Sequence, residues 1–382
     1  MTGVTYDEQT KLASIQPGVR WHGVYQELLK HHVCVTSGRD GNVGVGGFLT
    51  GGGISYHAGE NGLGCDNVAN FEVVLASGEI INANANSHAD LWKELKGGSG
   101  NFGIVTRFEL YTFPAPDVWG GPRITTRDQG DKLAKWTVDF TNENHKMPHT
   151  ATILNYTFNL GLPGMISIVQ MLVDTSGTTE SPAFDSLLKE PAVHSVLEKQ
   201  SMAQLVANST LRPNQHQIWF TLTFKNDVEI IKHAAELHDV MVDELKSLLP
   251  SDHFSTQCIF QPWPKLFAQH SVRRGGNVLG LDYVKENSLL WAVVGSTDTA
   301  AEHAIMREKL TIFKTALEEF ARCGNLLMDW QYLNYVDETQ RPLESYGEKN
   351  INFIREVALK YDPTGMFQAK IVSGWKISKV GI

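Results

Sequence analysis

Apolar residues along the chain change period several times, and each change predicts an element. MTGVTYD and KLASIQPG alternate in strand fashion around a turn at Glu8-Gln9 and predict a hairpin closed by Pro17-Gly18. In VRWHGVYQELLKHH, the residues Trp21, Val24, Tyr25, Leu28 and Leu29 recur at three- and four-residue steps, the stripe of an amphipathic helix. VCVTS predicts a short strand. NFEVVLASGEIINAN predicts two strands about Ser77-Gly78, HADLWKELK a helix and FGIVTRFELYTF a strand.

From about residue 120 the texture changes, after Pro114, Pro116 and the pair Gly120-Gly121. ATILNYTFNL, GMISIVQMLVD and HQIWFTLTF predict strands. FDSLLKEPAVHSVLE, interrupted by Pro191, DVEIIKHAAELHDVMVDELKSLL and TAAEHAIMREKLTIFKTALEEFARC predict amphipathic helices. Strands alternating with long helices on an antiparallel sheet make an α+β domain. WQYLNYVD then predicts a strand, KNINFIREVALKY a helix and DPTGMF a punctuated tail. No repeat of fixed period is visible.

Composition narrows the function. The 382 residues suit two domains, and 42% hydrophobic with 20% charged residues is ordinary for a globular protein. A net charge of −9 without a Lys/Arg cluster argues against a nucleic-acid partner, and no apolar run is long enough to span a bilayer. The opening MTGVTYDEQT has no apolar signal core, which leaves the compartment undetermined. Cys34, Cys65, Cys258 and Cys323 form no CxxC pair and no metal-ligand spacing, so buried thiols are expected and a metal is not. Sequons at Asn155 and Asn208 decide nothing alone.

Residues 37–66, SGRDGNVGVGGFLTGGGISYHAGENGLGCD, are glycine-dense yet carry Val43, Val45, Phe48, Leu49, Ile54 and Tyr56. A flexible linker lacks such residues, so this is a folded loop whose bare backbone approaches a ligand. GSGNFG at 98–103 formally matches a dinucleotide-binding GxGxxG. That motif must leave a strand and open a helix, whereas here a helix precedes it and a strand follows, which argues against classical NAD binding.

VGVGGFLTGGGISYHAGENGLGCDNV and DLWKELKGGSGNFGIVTRFEL, with FQPWPKLFAQHS, RGGNVLGLD, WQYLNYVD and KYDPTGMF, make the chain resemble the vanillyl-alcohol-oxidase (PCMH-type FAD-binding) superfamily. Within it, the sequence is most similar to fungal relatives of berberine bridge enzyme. The resemblance implies an α+β fold in three parts: a PCMH-type FAD-binding domain over 1–119, an inserted antiparallel-sheet-plus-helices substrate domain over 120–325, and a C-terminal return over 326–382. It implies FAD contacts at Val43, Gly44, Gly46, Gly47 and Gly53, a backbone segment beside the adenine at Gly103, Ile104 and Val105, and an Asn334-Tyr335 pair reaching the flavin ring. Relatives carry an upstream subdomain with a histidine-bearing loop, absent from this sequence, and bicovalent members have a cysteine where Asp40 stands. FAD is therefore expected to be held non-covalently. The opening hairpin is expected either to pair with a second chain or to leave a weak, less stable FAD site.

The family's oxidation of a small organic substrate requires a base above the flavin while hydride is transferred. Tyr335 and Tyr332 lie in the expected segment, and Tyr56 and His57 follow the glycine loop. His270, Arg273 and Arg274 are further substrate-side candidates. A secondary metabolite is the expected substrate type. A redox-neutral cyclase of the Diels–Alder kind and a flavin-free remnant of an oxidase are the competing readings.

Overall fold

The computed structural model describes residues 1–207, 215–371 and 374–381. The Asn208 sequon lies outside the described residues, and Asn155 is half-buried within a strand. Five antiparallel strands form a small sheet: β1 (Val4–Asp7), β2 (Leu12–Ile15), β3 (Val68–Val74), β4 (Ile80–Asn84) and β5 (Ile104–Tyr111), in the order β1-β2-β5-β3-β4. The pleat explains the register. Ala13, Ile15, Phe71, Val73, Phe108 and Leu110 are fully buried on one face. Glu72 and Arg107 pair on the other, 2.7 Å apart. The Trp21–Leu28 helix closes the inner face with Trp21, Val24, Tyr25 and Leu28.

A nine-stranded antiparallel sheet holds the middle of the chain. Its main strands are β6 (Val118–Thr126), β7 (Thr150–Phe158), β8 (Ile166–Asp174), β9 (His216–Lys225), β10 (Phe254–Trp263), β11 (Ser288–Thr297) and β12 (Leu327–Met328). The order is β6-β8-β7-β10-β11-β9-β12. Alternate residues Leu154, Tyr156, Phe220, Leu222, Cys258, Phe260, Trp291 and Val293 face the helices Gly130–Glu143, Val228–Leu248 and Ala300–Cys323. Asp227 caps the second helix, and Thr299 with Glu302 forms a capping box on the third. Val173, Trp263 and Leu290, on the opposite face, join the core of the small-sheet domain. On that face Tyr335 and Arg39, from outside the sheet, meet Trp219 and Gln261, and this junction between the domains is the candidate cleft.

The structure differs from the sequence pattern in three places here. FDSLLKEPAVHSVLE is helical only over Asp185–Leu188; beyond Pro191, His194–Ser195 and Glu198–Gln200 pair with β6, whose open edge offers hydrogen bonds that the helix would forgo. Strands β10 and β11 were not anticipated. β11 is buried along all ten residues, so it has no alternation to read. The glycine stretch contains a short helix, Val45–Thr50. Cys34, Cys65 and Cys258 are buried and Cys323 is exposed, all as free thiols. Among the described residues no helix is long and apolar enough to cross a membrane, and no group of side chains suits a metal ion.

Two buried ionisable side chains lie at the end of the Ala89–Glu94 helix. Lys96 Nζ donates to the Arg274 carbonyl (3.2 Å) above the Trp92 ring, and burial pulls its pKa down to about 8. Glu94 is fully buried with neither carboxylate oxygen hydrogen-bonded, and burial pushes it up to about 9, so it is neutral at pH 7. Between the ordinary carboxylate range and pH 9 the folded state holds a proton that the unfolded state has lost. Glu94 therefore costs stability progressively as pH rises. Glu94→Gln removes this slope, by up to about 1 kcal/mol per pH unit. Its melting temperature relative to the parent should rise steadily from pH 5.5 to 8.5 in thermal scans; parallel curves would show that Glu94 is ionised in the fold.

Candidate active site

Glycines in the 44–53 loop serve two separate purposes. The Val45–Thr50 helix turns Val45, Phe48 and Leu49 into the core and leaves Gly44 and Gly47 exposed. A Cβ on either would meet nothing within 4 Å, so both present bare backbone to open space. Gly46 and Gly53 are engaged by the protein itself. The Gly46 N–H donates to the Pro17 carbonyl (3.3 Å). Gly53 is buried at φ +88°, and an added Cβ there would strike the Phe48 ring. Packing therefore accounts for the glycine at 53, and Val43, 39% exposed, lies at the loop's outer rim.

Tyr332 clamps this loop. Its ring is buried among Trp263, Trp330 and Tyr335, and its hydroxyl oxygen lies within reach of three donors: Gly53 N (2.9 Å), Ile54 N (3.0 Å) and Asn334 Nδ2 (3.1 Å). Asn334 Nδ2 also donates to the Phe48 carbonyl (3.1 Å), and Asn334 occupies the space that a side chain at position 51 would need. These local bonds explain why WQYLNYVD is not a strand. It is an extended segment ending in a 3-10 turn at Leu333–Tyr335, its backbone shaped by side chains that reach the glycine loop. The second glycine loop joins at the same point, where Ser99 N donates to the Thr50 carbonyl (3.1 Å). Beyond it, Gly103 packs on Val73, Ile104 is 53% exposed and Val105 is half-buried.

The proton-handling candidates separate by environment. Tyr335 is half-buried at the cleft, its ring 4.9 Å from Tyr332 and 5.3 Å from Trp219, and its hydroxyl accepts from Arg39 (2.9 Å). Tyr332 is committed to the clamp, and burial drives its pKa far up. Burial pushes the Tyr56 phenol up to about 12. His57 packs against Phe113, and burial holds it near 4, so it stays neutral at physiological pH. The further candidates lie elsewhere. His270 contacts the Gly59 carbonyl (2.9 Å), Arg273 is exposed and Arg274 lies over Tyr111.

Sequence reasoning missed the opposite wall. Arg39 also donates to Gln261 on β10, and Ile259, Ala292, Val294, Ile153, Trp219 and Tyr335 form a separate apolar cluster on the cleft face of the sheet. The signal lies in β10 itself, where Gln257, Ile259 and Gln261 alternate with the helix-facing Cys258 and Phe260.

The two kinds of glycine predict opposite variants. Gly47→Ala should leave the melting temperature unchanged while weakening FAD binding, because its methyl enters the open space beside the backbone. Gly53→Ala should lower the melting temperature by several degrees, through strain at positive φ. Calorimetry with FAD titration checks both; equal effects from the two variants would dissolve the distinction.

A family profile described as an FAD binding domain matches residues 1–84. The FAD-dependent monooxygenase sdcF of Emericella nidulans is 36% identical over 384 residues, covering 99% of this chain and 79% of that protein. The FAD-dependent monooxygenase drtC of Aspergillus calidoustus is 35% identical over 378 residues, covering 99% and 72%. Among solved structures, 6-hydroxy-D-nicotine oxidase from Arthrobacter nicotinovorans superposes with a TM-score of 0.77 at 18% identity, covering 96% of this chain and 79% of that one. Gly44 and Gly47 leave open space beside their backbone, and the Ser99–Thr50 hydrogen bond ties the two glycine loops together. The chain is thus an FAD-dependent oxidoreductase, a member of the family of fungal FAD-dependent monooxygenases and oxidoreductases within the PCMH-type FAD-binding superfamily.

Proposed function

We propose that this protein oxidises a small organic molecule, a secondary metabolite bearing a hydroxyl or amine, with Tyr335 as the residue that handles the proton. FAD, when bound, accepts the hydride. Val43, Gly44, Gly47, Gly103, Ile104, Val105 and Asn334 would hold it along the two glycine loops. The observation that carries the assignment is the position of Tyr335. It belongs to the segment that clamps the glycine loop, yet its ring also packs on Trp219 of the sheet wall. A substrate between loop and wall meets this hydroxyl.

The Arg39 hydrogen bond fixes the position of the Tyr335 oxygen that would take the substrate's proton. Tyr332 cannot substitute, because its oxygen is already shared among three donors. Tyr56 and His57 are held by burial in neutral forms, and their roles are to pack the loop. Trp219, Ile259 and Val294 exclude water from the reacting face of the substrate.

The test is anaerobic bleaching of flavin absorbance, using a substrate found by screening alcohols, phenols and amines. Tyr335→Phe should slow bleaching by about 10²-fold or more at unchanged FAD content. Bleaching at the parental rate would remove Tyr335 from the chemistry. Turnover without any bleaching would transfer the pocket to redox-neutral cyclisation. Product mass adds a second division, because loss of two hydrogens marks dehydrogenation and gain of one oxygen marks monooxygenation.

A further inference from the structure

We propose that Arg39 anchors an anionic oxygen of the substrate, so that the molecules oxidised here carry a carboxylate or ionised enol beside a flat apolar body. This rests on the reading of the cleft as the substrate site. Arg39 is half-buried between the glycine loop and the sheet wall. One terminal nitrogen serves both Gln261 and the Tyr335 hydroxyl. A guanidinium has five N–H donors in a rigid fork, and among the described residues the rest of this fork has no acceptor.

Its charge is also unmatched. Among the described residues no carboxylate lies within ion-pair distance of Arg39, although acidic residues outnumber basic ones in the chain. Three other partly covered arginines are paired, Arg107 with Glu72 (2.7 Å), Arg127 with Asp239 (2.8 Å) and Arg307 with Asp337 (2.9 Å), whereas buried Arg123, among the described residues, donates only to the Glu190 carbonyl. Asp40, next in the chain, is the acidic group that shares the Tyr56 surroundings with Arg39, and it lies beyond ion-pair distance of the guanidinium. Gln261 is a buried neutral amide, and the Tyr56 ring lies 5.8 Å from the guanidinium carbon.

The surface beside it is apolar and flat. Ile259 pairs across the sheet with Ala292, and Val294 with Trp219. Asn155 and Gln257 close the row with a neutral amide pair 2.8 Å apart. A planar fork next to an apolar shelf selects a carboxylate or enolate joined to a ring or conjugated chain. A neutral sugar would leave the charge unanswered and the shelf poorly covered.

Benzoate and its near-isosteric neutral analogue benzamide test the proposal on the FAD-loaded protein, read by quenching of tryptophan fluorescence and by flavin absorbance shifts. Benzoate should bind about tenfold more tightly, with salt weakening benzoate alone. Arg39→Gln should equalise the two probes, and Arg39→Lys should keep part of the preference. Equal binding in the parent, no saturable benzoate binding, or a preference that survives Arg39→Gln would overturn it. If Arg39→Gln fails to fold, the parent comparison and Arg39→Lys decide. Tyr335→Phe separates the two readings. A missing benzoate preference alongside slow bleaching in Tyr335→Phe rejects only the anchor. An intact preference with parental bleaching in that variant rejects only the proton-handling role.

Discussion

The hydroxyl of Tyr332 is the point on which the site depends. Two acceptor lobes are shared among Gly53 N, Ile54 N and Asn334 Nδ2, inside a shell of Trp263, Trp330 and Tyr335. Those contacts join strand β10 of the inserted sheet, the glycine loop of the N-terminal part and the C-terminal return. A buried amide without a partner costs about 1–3 kcal/mol, so losing this one oxygen would orphan two adjacent backbone donors. The loop's shape, and with it the exposure of Gly44 and Gly47, follows from that constraint.

The cleft inherits its chemistry from the same join. Because Asn334 fills the space beside Gly51, the following residue, Tyr335, is turned out toward Trp219 and Arg39. The sheet contributes a wall whose helix-facing side is a hydrophobic core and whose cleft side is a mixed surface of Ile259, Val294, Gln257 and Gln261. One face of the sheet packs on the helices, while the other packs in part on the small-sheet domain and carries the Ile259–Trp219–Tyr335 cluster. Tyr332 is buried and fully engaged; Tyr335, one turn away and half-buried, faces Trp219 and Arg39.

Much of this was legible from local pattern, because hairpins, caps and amphipathic helices are encoded within a few residues. The helix beginning after Asp227 and the β1–β2 hairpin are of that kind. The glycine loop was legible because apolar residues among the glycines exclude a linker. The Arg39–Tyr335 bond was not, since it joins positions 296 apart that only the folded sheet brings together. β10 and β11 escaped because Pro262 and Pro264 punctuate one and the other lacks alternation. WQYLNYVD misled for a physical reason. Aromatic and β-branched residues favour strands, but here their side-chain bonds to a distant loop outweigh the backbone ladder.

The claim that the Tyr332 oxygen holds the glycine loop is tested most directly by amide hydrogen exchange at Gly53 and Ile54 in Tyr332→Phe, which keeps the ring and deletes only the acceptor. The account predicts that these two amides lose most of their protection while those of β7 and β11 keep theirs. Unchanged protection at Gly53 and Ile54 would mean that the loop holds its own shape and that the clamp is not its cause.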